Sequence, residues 1–406
     1  KEAVVNRQTI YEAGFLVDDL FSRGDILLPV GDDEWDIIEV KSASKVKDLN
    51  IHDLAFQKYI YEKAGLKIRN CILMHLNSEY LRDGEIDVEE LFVQADITEK
   101  VEEFSEGIKE RIEKMFVVIN GEEPEFSVDD LLTIEYDNIC KDEFMASLPE
   151  ESIFELYRLF TKKKVELYKE GIVKMNEVPE SVKLNDKQKI QRRLAHGGGQ
   201  HIDDVAIKNF LGNLKYPIYY LDFETINPAI PKFNGMKPYQ RIPFQFSLHI
   251  QKEKNGVCEH VSFLAKGKAD QRKEFMQALK DNLGTEGSVL VYNQGFEKGV
   301  MNEGATAFPE FREWYEENIL PRVKDLMIPF TNFDFYDSRQ KGSASIKAVL
   351  PVLTDLSYKD LDIGNGILAS LEYERVTFDD VDESDRLKVY EDLEEYCKLD
   401  TWAEVE

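Results

Sequence analysis

The stretch YPIYYLDFETINPAIPKF, residues 216–233, decides how the C-terminal half of this chain folds. Tyr216 to Leu221 form an apolar, aromatic-rich run with the character of a buried strand. The run ends in two carboxylates, Asp222 and Glu224, on either side of Phe223. Strand side chains alternate between faces, so both acids share a face with Tyr220. Neighbouring carboxylates repel, and burial amplifies the repulsion. A divalent cation between them removes the conflict, which makes this strand end a candidate metal site.

Later segments extend the pattern. SVLVYNQGFEKGVMNEGA (288–305) reads as a buried strand ending at Asn293 and a helix from about Phe296, which puts Glu297 just beyond the strand's C-terminal end. That edge of an open α/β sheet is where sites form. DLEEYCKLDTWAEVE (392–406) reads as a helix with Tyr396 and Asp400 on one face at i, i+4. Asp222, Glu224, Glu297 and Asp400, with Tyr396 beside them, suit two hard cations ~4 Å apart, an arrangement that clamps both oxygens of a displacement at phosphorus. The plainer alternative makes Asp222 a strand-end cap, and Tyr396 and Asp400 ordinary helix surface.

The N-terminal part has its own constellation. GDILLPV and WDIIEVKS read as strands joined by the turn GDDE, with Glu39 and Lys41 on one face. Asp25, on the preceding strand, is placed to approach them. Asp25 and Glu39 would hold a metal, and Lys41 would position the attacking water and stabilise phosphate charge. In the helix that follows, Gln57 and Tyr61 share a face at i, i+4. Cross-strand ion pairs produce the Glu-x-Lys fragment often.

Length, at 406 residues, allows two or three domains. The expected boundaries are 1–100, 101–201 and 202–406: an α/β domain, a helical connector and a second α/β domain. HGGGQH (196–201) reads as a flexible junction whose two histidines are solvated or, less simply, metal-ligating. ELYKEGIVKMNEVPES (166–181) reads as two helices around a Gly-Ile turn, similar to helix-hairpin-helix modules that contact phosphates. The formal charge of −28 argues against a broad basic surface, though not against a local groove. No apolar run spans a bilayer and no signal peptide is apparent, so no membrane association is expected. The four cysteines form no C-x-x-C pair, which fits a reducing cytoplasm.

The C-terminal pattern resembles the DEDD exonucleases of the RNase H-like superfamily. LDFET, YNQGFE and YCKLDT are similar to their three motifs in the tyrosine-bearing form, and DLM at 325 and SASIKAVLPVL at 343–353 to the segment between the last two. Position 297 is Glu where that family normally has Asp. The N-terminal set of Asp25, Glu39, Lys41, Gln57 and Tyr61 resembles the RecB-like branch of the PD-(D/E)xK nucleases, with Glu12 similar to an acidic residue ahead of the Asp strand. The combination resembles a bacterial family catalogued as a domain of unknown function. What these resemblances imply is a DNA nuclease using Mg²⁺ or Mn²⁺, with 3′ to 5′ exonuclease chemistry at the C-terminal site and DNA favoured over RNA. They imply no iron–sulfur cluster here, because only Cys140 stands where later cluster cysteines would fall. The competing expectation is a nucleic-acid-binding scaffold that has lost turnover.

Overall fold

A computed structural model describes residues 2–122, 127–133, 139–359 and 361–406 of the chain. It is a mixed α/β structure dividing into two compact units: Lys1–Glu125 with Asn227–Gln240, and Phe126–Ile226 with Arg241–Glu406.

The first unit is built on a five-stranded sheet in the order β1-β2-β3-β4-β5: Ile10–Val17, Leu20–Val30, Glu34–Lys41, Lys67–Leu76 and Phe92–Asp96. The first three form an antiparallel meander, β4 pairs parallel with β3, and β5 pairs antiparallel with β4. The parallel step needs a crossover, and helix Asp48–Lys63 supplies it. Leu54, Ile60 and Tyr61 on that helix are fully buried against Leu27, Ile37 and Leu73. Each such aliphatic or aromatic side chain contributes ~1.5–3 kcal/mol by leaving water.

The second unit contributes β6 (Gln200–Ile202), β7 (Ile218–Ile226), β8 (Ile242–Gln251), β9 (Cys258–Leu264), β10 (Ser288–Val291), β11 (Val323–Asp325) and β12 (Phe335–Asp337). Five of them form a sheet in the order β11-β10-β7-β8-β9. The β7–β8 and β8–β9 pairs are antiparallel, and β10 joins β7 and β11 in parallel. The central strand therefore carries the sequence read first, and its alternation is as expected. Tyr219, Leu221 and Phe223 enter one core with Phe246 and Phe275, while Tyr220 joins Ile218 and Leu290 in another cluster.

Two local expectations are corrected. HGGGQH is not simply a linker, because Gln200–Ile202 pairs antiparallel with β12 and His201 Nδ1 accepts from the Arg193 guanidinium at 3.0 Å. The segment after Gly171 forms no second helix. Lys174 bridges to Ser152 and Glu177 accepts from the amides of Val173 and Lys174, leaving only a 3₁₀ turn over Met175–Glu177 before Pro179. Among the described residues, no helix is long and apolar enough to cross a membrane.

Candidate metal centre

The last helix, Glu383–Val405, lies across β7 and β8. Its buried positions are Val389, Tyr390, Leu393, Tyr396, Cys397, Asp400, Thr401 and Glu404, a stripe at helical spacing. The stripe is apolar at first and becomes polar where it meets the middle of β7 and β8; β7 runs on to Ile226, so Asp222 lies mid-strand and not at the strand end that the sequence suggested. Polar contacts fix its register: Gln245 Nε2 donates to the Leu393 carbonyl at 2.9 Å, and Thr401 Oγ1 lies 2.6 Å from Ser247 Oγ and 2.8 Å from His249 Nδ1. Ser247 is the β8 partner of Asp222, so these contacts set Asp400 opposite Asp222.

One oxygen each from Asp222, Glu224 and Asp400 all lie within 4.8 Å of one another. Glu224 and Asp400 are buried, while Asp222 keeps partial exposure. No lysine or arginine ion-pairs with these groups among the described residues. Burial, then the charges of Asp400, Glu224, Glu297 and Glu404, hold the Asp222 carboxyl well above the ordinary range. Burial and Asp400 push Glu224 up to about 8. Asp400 rises to about 6 through burial, against hydrogen bonds from Tyr358 and Tyr396 and the field of Lys347.

Glu297 is fully buried on the first turn of helix Gln294–Ala307. That turn is held by Asp325 at the end of β11, whose carboxylate accepts from the amides of Asn293 (3.0 Å) and Gln294 (3.2 Å). Asn293 adopts a left-handed φ of 81°, which Asn tolerates better than most residues. Burial, foremost, raises Glu297 to about 8. Tyr396 lies against Asp400 as the i, i+4 spacing requires, and burial together with Asp400 raises its hydroxyl above the ordinary tyrosine range.

Sequence reasoning missed three participants here. Tyr358 Oη donates to Asp400 Oδ1 at 2.7 Å from an irregular segment that has no periodicity to flag it. Lys347, exposed at 5.5 Å over the Tyr358 ring, is the cation whose field reaches Glu224 and Asp400. Glu404 is buried one turn beyond Asp400, and the i, i+8 spacing from Tyr396 was the available signal.

In the first unit, the predicted set comes together in part. Glu39 Oε1 takes the Lys41 ammonium at 2.6 Å and Oε2 takes Gln57 Nε2 at 2.9 Å. Asp25 Oδ2 accepts from the Val40 amide at 2.7 Å. Asp53, unanticipated, pairs with Lys41 at 3.0 Å. Tyr61 is turned to the backbone, donating to the Ala13 carbonyl at 2.5 Å and accepting from the Gly24 amide at 2.7 Å. Glu12 is exposed and ion-paired with Arg23 at 2.9 Å. Here a lysine already neutralises the buried glutamate, unlike the carboxylates of the second unit.

Residues 219–345 match the family described as "Domain of unknown function (DUF2779)". That span takes in Asp222, Glu224 and Glu297 and stops short of Tyr358, Tyr396 and Asp400. The chain is 27% identical over 222 residues to the uncharacterized protein UU173 of Ureaplasma parvum serovar 3, covering 49% of this chain and 31% of the relative. It is also 27% identical over 215 residues to the uncharacterized protein MG366 of Mycoplasma genitalium, covering 48% and 32%. The aligned part thus spans about a third of the length of these relatives.

Proposed function

We propose that the chain is a divalent-metal-dependent nuclease that hydrolyses phosphodiester bonds in DNA, acting 3′ to 5′ at the centre on β7 and the last helix. The observation that carries this reading is the convergence of Asp222, Glu224 and Asp400 within 4.8 Å. Among the described residues, no lysine or arginine forms an ion pair with them. An all-oxygen, partly buried carboxylate set fits Mg²⁺ or Mn²⁺, which take hard oxygen donors. Such an ion, when bound, activates a water and neutralises charge on the phosphate.

The chain's own residues would divide the remaining work. Asp222, Glu224 and Asp400 ligate directly, with Glu297 behind them. Tyr396 orients the attacking water, and Tyr358 fixes the Asp400 carboxylate. Lys347, exposed at the edge of the cluster, meets the substrate phosphate as a point charge. The five-stranded order β11-β10-β7-β8-β9, with its acids on the central strand, supports the likeness to RNase H-like exonucleases. The RecB-like reading of the first unit is supported by the approach of Asp25, Glu39, Lys41 and Gln57. Because Lys41 occupies Glu39 and Tyr61 is committed to the backbone, we place turnover at the C-terminal centre.

The test uses 5′-labelled single- and double-stranded DNA and RNA with Mg²⁺, Mn²⁺ or EDTA. Stepwise shortening from the 3′ end that EDTA abolishes is the expected result. Absence of cleavage on all substrates with both metals would remove the enzyme reading and leave a nucleic-acid-binding scaffold.

A further inference from the structure

The antiparallel pair β7–β8 closes at Ile226 and Ile242, and the connection between them belongs to the first unit: the chain leaves the second unit after Ile226 and rejoins it at Arg241. This strap, Asn227–Gln240, is far longer than the ~2–5 residues common in hairpins, and long ordered connections are usually functional. Arg82, between β4 and β5, is its point of attachment. The Arg82 amide donates to the Met236 carbonyl at 3.0 Å, and the Arg82 carbonyl accepts from the Gly235 amide at 2.8 Å. Its guanidinium donates to the carbonyls of Pro231 at 2.9 Å and Lys232 at 2.6 Å. Beside it, Asn234 Oδ1 accepts from the Gly84 amide at 2.9 Å, and the Tyr239 hydroxyl donates to the Ser42 carbonyl. Met236 is fully buried.

The strap is stiff, because Pro228, Pro231 and Pro238 fix φ along it. It enters the hairpin at a yielding point. Glu224 faces Gln245 and Thr225 faces Pro243, so the register slips there and Phe244 is an extra residue on β8. A bulge bends its strand and re-aims the side chains beside it. Glu224 therefore stands at the irregular step of the pair, with only Thr225 and Ile226 between it and the strap. Its own unit also holds this end, through Ser370 Oγ, which donates to the Thr225 carbonyl at 2.9 Å. The strap shares that task.

We propose that the first unit grips the β7–β8 connection through this strap, with Arg82 as the positioning residue that holds it, and so keeps Glu224 where it ligates the metal. The inference rests on the reading of Asp222, Glu224 and Asp400 as metal ligands and gives the first unit a part in that centre. Arginine suits the position because its planar guanidinium presents several fixed donors. It bonds the carbonyls of Pro231 and Lys232 and, through Nε, that of Gly84 at 2.9 Å, which a lysine ammonium would not span with the same fixed geometry.

Calorimetric titration of the full chain with Mn²⁺ at pH 8 tests this without reference to turnover. Arg82→Ala should weaken Mn²⁺ binding ~10-fold and Arg82→Lys ~3-fold, with both variants folded by circular dichroism. In a Glu224→Gln background, itself weaker for the ion, Arg82→Ala should change the affinity by less than about twofold, because the strap acts through that carboxylate. Should Arg82→Ala not fold, Asn234→Ala takes its place in the same cycle. That exposed position gives up only the bond to the Gly84 amide, and ~3-fold weaker binding is expected. An Arg82 that serves only the stability of its own unit would lower Tm and leave Mn²⁺ affinity unchanged, or would lower affinity equally in both backgrounds. Either result overturns the proposal and leaves the nuclease reading in place. No Mn²⁺ binding by the unsubstituted chain would remove both.

Discussion

The hydroxyl of Tyr358 donates a 2.7 Å hydrogen bond to Oδ1 of Asp400, so the acid that closes the carboxylate cluster is held by a residue forty-two positions upstream of it. Asp400 also has Tyr396 one turn before it on its own helix. The two rings lie 6.1 Å apart at 58°. Asp400 is thereby oriented from two directions, once by its own helix and once by the loop that follows helix Ile346–Leu353.

Removing the Tyr358 hydroxyl takes away a donor that favours the ionised form of Asp400. In Tyr358→Phe the Asp400 carboxyl should rise above its present value of about 6. The acid limb of the pH–rate profile should move to higher pH, and cleavage at neutral pH should fall ~10-fold, as for loss of a partner that orients a metal ligand. Rates measured from pH 5 to 9 with saturating Mn²⁺ check this. An unshifted profile would reduce Tyr358 to a packing role.

The centre also predicts how the metal-free chain responds to pH. Glu297, and Glu224 with it, are raised from 4.5 to about 8. Between those values the folded state retains protons that the unfolded chain has released, so stability falls as pH rises. This contribution is fully present below about 4.5 and lost through about 8. In EDTA, Tm should therefore decline from pH 5.5 to pH 8. Mn²⁺ binds the ionised carboxylates, so the rise in Tm on adding it should be larger at pH 8 than at pH 5.5. Differential scanning fluorimetry at both values decides, and an equal metal effect at both would contradict the burial of these acids as a metal site.

Tyr61 leads to a prediction about stability alone. Its hydroxyl joins the Gly24 amide to the Ala13 carbonyl, and its ring is fully buried. Tyr61→Phe leaves both backbone groups unpaired in the interior, at a cost of ~1–3 kcal/mol. A Cβ on Gly24 would come within 2.8 Å of that hydroxyl and 2.7 Å of Gln57 Oε1, so Gly24→Ala should destabilise as well. Urea denaturation of the first unit's transition should register both changes, while cleavage at the C-terminal centre is retained.

What could be read from the sequence follows physical regularity. The alternation of β7 placed Asp222 and Glu224 together, and the 3.6-residue period of the last helix paired Tyr396 with Asp400, because both are consequences of local geometry. The same count carried one step further reaches Glu404. Tyr358 carries no such mark, since it lies in irregular chain between two helices. The first hairpin escaped for another reason. Its two-residue turn uses Asp18 and Asp19 at φ of 48° and 61°, where Asn-Gly is the usual signal. Gly171 suggested a hairpin of helices, but the bridge from Lys174 to Ser152 is a long-range contact that no local pattern announces.

The last prediction concerns which constellation performs the chemistry. In the first unit, Glu39 is bound by Lys41 and Gln57, and Asp25 is bound to the Val40 amide. A cation entering there must displace a 2.6 Å ion pair. In the second unit, Asp222, Glu224 and Asp400 have no such competitor among the described residues, and burial with mutual repulsion makes an ion the relief of an existing cost. Asp222→Ala removes one of the three converging carboxylates and should lower cleavage at least ~100-fold, about 2.7 kcal/mol of transition-state stabilisation. Lys41→Ala should leave most of the cleavage in place, because it disturbs an ion pair in the other unit. The two variants are compared on the same 5′-labelled DNA with Mn²⁺. If Lys41→Ala were inactive and Asp222→Ala active, the chemistry would belong to the first unit and the β7 centre would serve to bind.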